Sequence, residues 1–237
     1  MRINYLAGIT ALLTALPSVS WAMDADDHDP QAFHAMQLEM DAGATRHGVL
    51  YSWDLDGWIG GDVHKLWLRS EGEKLEGEST EQAEFWAMYS HNISTFWDAQ
   101  AGIRHDTQPD ATTYFVAGFN GLAPYSFETE AHLFLSEDGD VTARLKQEKD
   151  FLITQKLISQ PYAEFHFSAQ DVPELELGTG ITNGEIGIQS RYEVTRKFAP
   201  YIDLRYDFKV GETASIAQDN GESRDEAIAS VGLRLMF

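Results

Sequence analysis

Residues 23–40, "MDADDHDPQAFHAMQLEM", gather the side chains of this chain best suited to holding a metal ion. They comprise Met23, Met36 and Met40, His28 and His34, and Asp24, Asp26, Asp27 and Asp29. Thioether sulfur is soft and suits Cu(I); imidazole suits Cu(II), which tops the affinity order of the divalent first-row ions. Acidic neighbours raise the local concentration of cations. The same composition also describes an ordinary acidic tail with incidental His and Met, and the spacing alone does not separate the two readings. No cysteine is present, which excludes disulfides, thiol nucleophiles and thiolate metal sites.

Other constellations are weaker. No GxSxG, phosphate-cradling glycine loop or HExxH occurs, and His91, His105, His132 and His166 are scattered. Glu128 and Glu130 share a strand face, but such pairs are common in any salt-laced interior. The expectation is a non-enzyme; a lipid-acting enzyme at a barrel rim would need a Ser–His–carboxylate cluster.

The elements that must position these residues follow a two-residue period. In "PYIDLRYDFKV", Ile202, Leu204, Tyr206, Phe208 and Val210 oppose Asp203, Arg205, Asp207 and Lys209. In "AIASVGLRLMF", Ala227, Ala229, Val231, Leu233, Leu235 and Phe237 oppose Ser230, Gly232 and Arg234. Segments near 48–58, 62–74, 80–91, 95–105, 111–121, 125–136, 140–154, 159–169, 183–195, 200–210 and 226–237 read as strands separated by turn signals. They have the length a tilted strand needs to cross a bilayer. Bacterial single-chain barrels have even strand numbers, so "AMQLEMDA" (35–42) is taken as a twelfth strand, with ten as the fallback. Strand 140–154 fits poorly, because Gln147 and Lys149 fall on its apolar side. No helix-period segment of comparable length is evident.

The expected fold is all-β: a transmembrane antiparallel β-barrel, favoured over a soluble sandwich. Among charges opposite the apolar faces, acids (Glu84, Asp98, Glu128, Glu130, Glu164, Glu185, Glu193, Asp203, Asp207) nearly balance bases (Lys65, Arg69, Arg104, Arg144, Arg191, Arg205, Lys209, Arg234). That points to a near-neutral, mutually paired lumen, with the excess acid in tail and turns.

"MRINYLAGITALLTALPSVSWA" reads as a signal peptide, residues 1–22, with Arg2, an apolar run and small residues before a cut after Ala22. Residues 23–36 are then an acidic tail and 37–237 the barrel. The chain carries −21, and without Arg2 it has 16 bases against 38 acids, −22. Such a charge excludes nucleic acid as a partner. A terminal Phe237 on a lipid-facing strand is how outer-membrane barrels typically end, in the aromatic girdle.

The chain resembles the copper resistance protein B family of bacterial outer-membrane proteins. The resemblance is carried by "WDLDGWIGGDVHKLWLRSEGE" (53–73), "AEFWAMYSHNISTFWDAQAGIRHD" (83–106), "DFLITQKLISQP" (150–161) and "RYEVTRKFAPYIDLRYDF" (191–208), across about residues 37–237. It implies an outer-membrane barrel serving copper tolerance, with the tail in the periplasm. It also implies copper as the bound ion, outer-membrane lipid around the barrel, and a periplasmic copper oxidase or carrier as partner. Family tails are often repeats such as "MDHSxM". The residues here that match are Met23, Asp24, His28, His34, Met36 and Met40, without an intact repeat, which argues against high-capacity storage. The function expected is to bind copper and sequester it or pass it across the outer membrane. The alternative is a passive barrel or small cation pore without a dedicated metal site.

Overall fold

A computed structural model describes residues 32–77, 80–108 and 111–237, apart from the side chain of residue 81. The expected signal peptide, and Met23, Asp24 and His28 of the tail, lie outside the described residues.

The strands are β1 (Phe33–Ala44), β2 (Val49–Gly60), β3 (His64–Leu75), β4 (Thr80–Ser94), β5 (Trp97–Gln108), β6 (Thr112–Ala123) and β7 (Phe127–Ser136). They continue as β8 (Val141–Glu148), β9 (Phe151–Leu152), β10 (Leu157–Ser168), β11 (Gly180–Tyr192), β12 (Phe198–Lys209) and β13 (Asp225–Met236). Every neighbour is antiparallel, and β13 pairs with β1, so the sheet closes on itself. Closure removes the exposed edges that an open sheet would carry. Phe237 extends the seam: its amide donates to the Met36 carbonyl at 2.9 Å.

β8 and β9 both pair with β10, so the thirteen segments occupy twelve places around the barrel. The interruption has a sequence cause. Lys149 and Asp150 lie between the pairs Tyr162↔Glu148 and Ser159↔Phe151, opposite Gln160 and Pro161. Pro161 has no N–H to give to the ladder. The misfit residues are also explained. Gln147 and Lys149 face outward; Gln147 donates to Thr129 at 3.3 Å, and Lys149 Nζ sits 5.1 and 5.2 Å from the Phe127 and Phe151 ring centroids. A lysine among aromatic rings at a strand end keeps its charge at the membrane boundary.

The twelve expected strands are present, with ends within about three residues of those read from the period-two pattern. Two differences stand out. β1 begins at Phe33, inside the expected tail, because Phe33 to Ala35 pair with Gly60 to Trp58 of β2. A short helix, α1 (Gly211–Asp219), interrupts the β12–β13 connection and buries Thr213, Ala214 and Ala217.

Twelve-residue strands rise roughly 40 Å, which at barrel tilts covers about the 25–30 Å of a bilayer core. The outer face stays apolar without cover: Val231 is 63% and Leu133 59% exposed, and Ile202, Leu204, Ile103 and Phe115 share that face. A sandwich would bury these residues; lipid is the medium that suits them.

Candidate functional site

The inward residues divide the lumen in two. On the β4–β7 side Trp86, Met88, Tyr114, Val116 and Phe134 pack together, with Trp67 against them. The rest of the interior is a cavity of about 1610 Å³ lined largely from β1–β3, β8 and β10–β13.

Guanidinium groups tie the strands across this interior. Arg69 reaches Glu130 at 2.7 Å, Asp56 at 3.1 Å and Glu71 at 3.6 Å. Arg144 reaches Glu84 at 2.8 Å, Glu71 at 2.9 Å and Glu164 at 3.3 Å. Arg104 bridges Glu84 and Asp106, each at 2.6 Å, and lies against the Tyr114 and Phe134 rings at 5.0 and 5.1 Å. Arg205 gathers Glu73, Asp207 and Glu185 at 2.9, 3.2 and 3.8 Å. Arg234 pairs with Glu39, and Arg191 with Asp150. Each cation serves two or three carboxylates in several of these sets, which is how buried charge becomes tolerable.

Such sharing means acids outnumber bases. Beyond those expected from the sequence, twelve acids line the cavity, among them Glu39, Asp41, Asp54, Asp56, Glu71 and Glu73, against three further bases, Lys146, Arg196 and Arg224. The lumen is therefore acidic and not charge-balanced. The signal was present in "WDLDG", where Asp54 and Asp56 alternate with outward Trp53 and Leu55. Among the described residues Asp41, Asp54, Glu128 and Asp203 have no basic side chain within 4.0 Å. Asp41 and Asp203 accept hydrogen bonds from Tyr201 and Tyr162 at 2.9 and 3.0 Å. Among the described residues Asp54 Oδ1 is enclosed without a hydrogen-bond partner.

The described members of the expected metal set all stand on the outer side of β1. Met40 is 43% exposed, opposite Trp53 and Leu233; Met36 lies over Gly57; His34 is opposite Ile59 near the rim. Met36 and Met40 are four residues apart in one strand, about 13 Å, so they do not converge. Among the described residues no three His, Asp or Glu side chains gather as a metal site.

The fold also makes a pair that sequence reading missed. His64 of β3 is directly opposite His91 of β4, with their Nδ1 atoms 3.3 Å apart. Tyr89 Oη lies 2.5 Å from His64 Nδ1. The pairing depends on strand register, to which spacing along the chain gives no direct key. The other histidines singled out have different partners: His132 meets Gln100 at 2.9 Å, His166 meets Glu164 at 2.9 Å, and His105 meets Thr113 at 3.1 Å.

The model of the family described as copper resistance protein B precursor matches residues 31–237. Copper resistance protein B of Escherichia coli is 41% identical over 79% of this chain and 63% of its own length. A copper resistance protein B homolog of Pseudomonas syringae pv. tomato is 41% identical over 80% of this chain and 65% of its own. The chain thus spans just under two thirds of the length of these relatives. Among solved structures, the NanC porin superposes with a TM-score of 0.59 at 13% identity, covering 84% of this chain and 98% of the porin. The KdgM porin gives 0.54 at 9% identity, covering 85% and 99%. These two likenesses show the porin-type outer-membrane barrel fold.

Proposed function

The chain belongs to the copper resistance protein B family, and we propose that it contributes to copper resistance by binding copper ions and sequestering them or passing them across the outer membrane. The observation that carries this reading is the acid excess of the lumen. Carboxylates in a cavity with low-dielectric walls focus their field and concentrate cations. The family match supports copper as that cation.

The two ends of the barrel support an orientation. Where β1 begins, the connections 61–63, 95–96, 124–126, 153–156 and 193–197 are short; at the opposite end 169–179 and 210–224 are long. Short turns mark the periplasmic side of outer-membrane barrels. On this reading Met23, Asp24 and His28 meet periplasmic copper first. A periplasmic copper oxidase or carrier is the partner that placement calls for. The role is one of binding and passage, not catalysis.

Growth on copper of a Gram-negative host lacking the native protein tests the proposal. Neutralising Asp41, Asp54, Glu128 and Asp203 together should lower tolerance while the barrel still inserts. Tolerance equal to wild type would remove the lumen from the mechanism. A tail deletion used alongside must stop at residue 31, because β1 starts at Phe33. One observation favours a passive cation pore instead: the lack of three converging His, Asp or Glu ligands among the described residues. Cation conductance indifferent to added copper would support that reading.

A further inference from the structure

We infer that His64, His91 and Tyr89 form a binding site for one transition-metal ion on the outer face of the barrel, at the rim where β1 begins. The two histidines occupy a non-hydrogen-bonded position of the β3–β4 ladder, since the Asn92 amide donates to the Val63 carbonyl one step beyond them. Side chains at such positions approach most closely. Their Nδ1 atoms are 3.3 Å apart. That is the edge of a tetrahedron around an ion bonded to nitrogen at about 2.0–2.1 Å, which is roughly 3.3–3.4 Å. Tyr89 sits two residues along β4 on the same face, and its Oη is hydrogen-bonded to His64 Nδ1 at 2.5 Å, so it orients that ring beside the ion.

The surroundings favour the same conclusion. The His64 and His91 rings are stacked with centroids 5.0 Å apart and planes 27° from parallel, and their Nδ1 atoms face each other across 3.3 Å. Their ring contacts are with each other and Tyr89, whereas His132, His105 and His166 hydrogen-bond elsewhere. The three side chains lie near the chain ends of β3 and β4, at headgroup level, where water can complete the coordination. Imidazole donors suit copper and zinc. Copper as the natural occupant rests on the resistance reading; the site itself rests on this geometry.

The test is Cu(II) titration of the full mature chain in detergent, with stoichiometry read by calorimetry and ligand nitrogens by electron paramagnetic resonance. The wild type should show an equivalent with hyperfine coupling to two imidazoles. The double variant His64→Gln/His91→Gln should lose one equivalent and that signal. Tyr89→Phe should weaken the same equivalent by about 10-fold or more. A chain lacking residues 23–31 should keep it. All substitutions are at the exposed rim, and heat-modifiable gel migration verifies the barrel. Unchanged stoichiometry and spectrum in the double variant would overturn the site, as would a wild type with no nitrogen-ligated copper. The resistance reading fails separately, in the growth test on lumen variants.

Discussion

Tyr201 Oη donates a 2.9 Å hydrogen bond to Asp41 across a strand that offers no side chain at that point, because Gly232 lies between them. A Cβ on Gly232 would fall 2.3 Å from the Tyr201 ring. Two strands away the arrangement recurs: Tyr162 lies over Gly187 and donates to Asp203 at 3.0 Å. Each glycine lets a tyrosine lie flat on the barrel wall and latch three strands together. Gly232→Ala should therefore displace Tyr201 and cost about 1–3 kcal/mol by overpacking. Tyr201→Phe should cost about 1 kcal/mol, through the lost donor to Asp41. The combined variant should cost less than the sum, because the displaced ring has already lost its bond. Urea unfolding in detergent, followed by tryptophan fluorescence, measures all three.

Arg144 makes a sharper prediction. Its side chain is buried and holds Glu71, Glu84 and Glu164 together. Arg144→Ala removes the cation and leaves carboxylates crowded inside the barrel, an expected loss of about 3–5 kcal/mol. Adding Glu84→Gln should recover part of that loss, since one of the stranded charges is gone. A double variant no more stable than the single one in the same unfolding assay would contradict this account of the network.

The period-two pattern was enough for the barrel, because lipid on one side and polar interior on the other impose alternation on every strand. It even flagged the β8–β9 region, where Gln147 and Lys149 broke the apolar face and Pro161 proves to break the ladder. Three things were not legible. Asp54, Asp56, Glu71 and Glu73 were visible one by one, but their surplus emerges only when a closed wall turns them onto one cavity. Met36, Leu38 and Met40 alternated against Gln37, Glu39 and Asp41; composition pointed to metal while periodicity pointed to lipid, and the fold puts them on the lipid side. His64 and His91 are 27 residues apart and meet only through register.

If the lumen carries ions, the acid surplus should make it cation-selective. In planar bilayers under a potassium chloride gradient, the reversal potential should follow the cation. Asp54→Asn with Glu128→Gln removes two carboxylates without a nearby base and should shift that potential toward zero. Raising ionic strength should have the same direction of effect, since the field is screened over about 10 Å at 0.1 M and 3 Å at 1 M.

Asp171 gives a pH prediction outside the membrane-spanning strands. In the 169–179 connection its Oδ1 accepts from the Thr179 hydroxyl at 2.5 Å and the Thr179 amide at 2.8 Å. The hydroxyl bond first, then the amide bond, hold this carboxyl below its ordinary value of 3.8. A lowered folded value means the contacts stabilise the loop above that pH and are lost as pH falls through the folded value. The Thr179 amide resonance in detergent should therefore move with a midpoint below 3.8, and Asp171→Asn should abolish the movement.

Neighbouring positions of β1 should respond oppositely to charge. Met40 points away from the lumen, near the middle of the strand, between Trp53 of β2 and Leu233 of β13. Glu39, one residue earlier, points inward and pairs with Arg234. Met40→Arg would put a cation into the lipid core, at a cost of about 2–4 kcal/mol near the midplane. Gln37→Arg, two residues before Glu39 on the inward face and already bonded to it at 2.8 Å, would put the same charge beside an acid-rich cavity. It should cost less than Met40→Arg by at least about 1 kcal/mol. Unfolding free energies in lipid vesicles decide between them. Equal penalties would mean that β1 does not present Met40 to lipid, and the inside–outside assignment of the seam strand would fall with it.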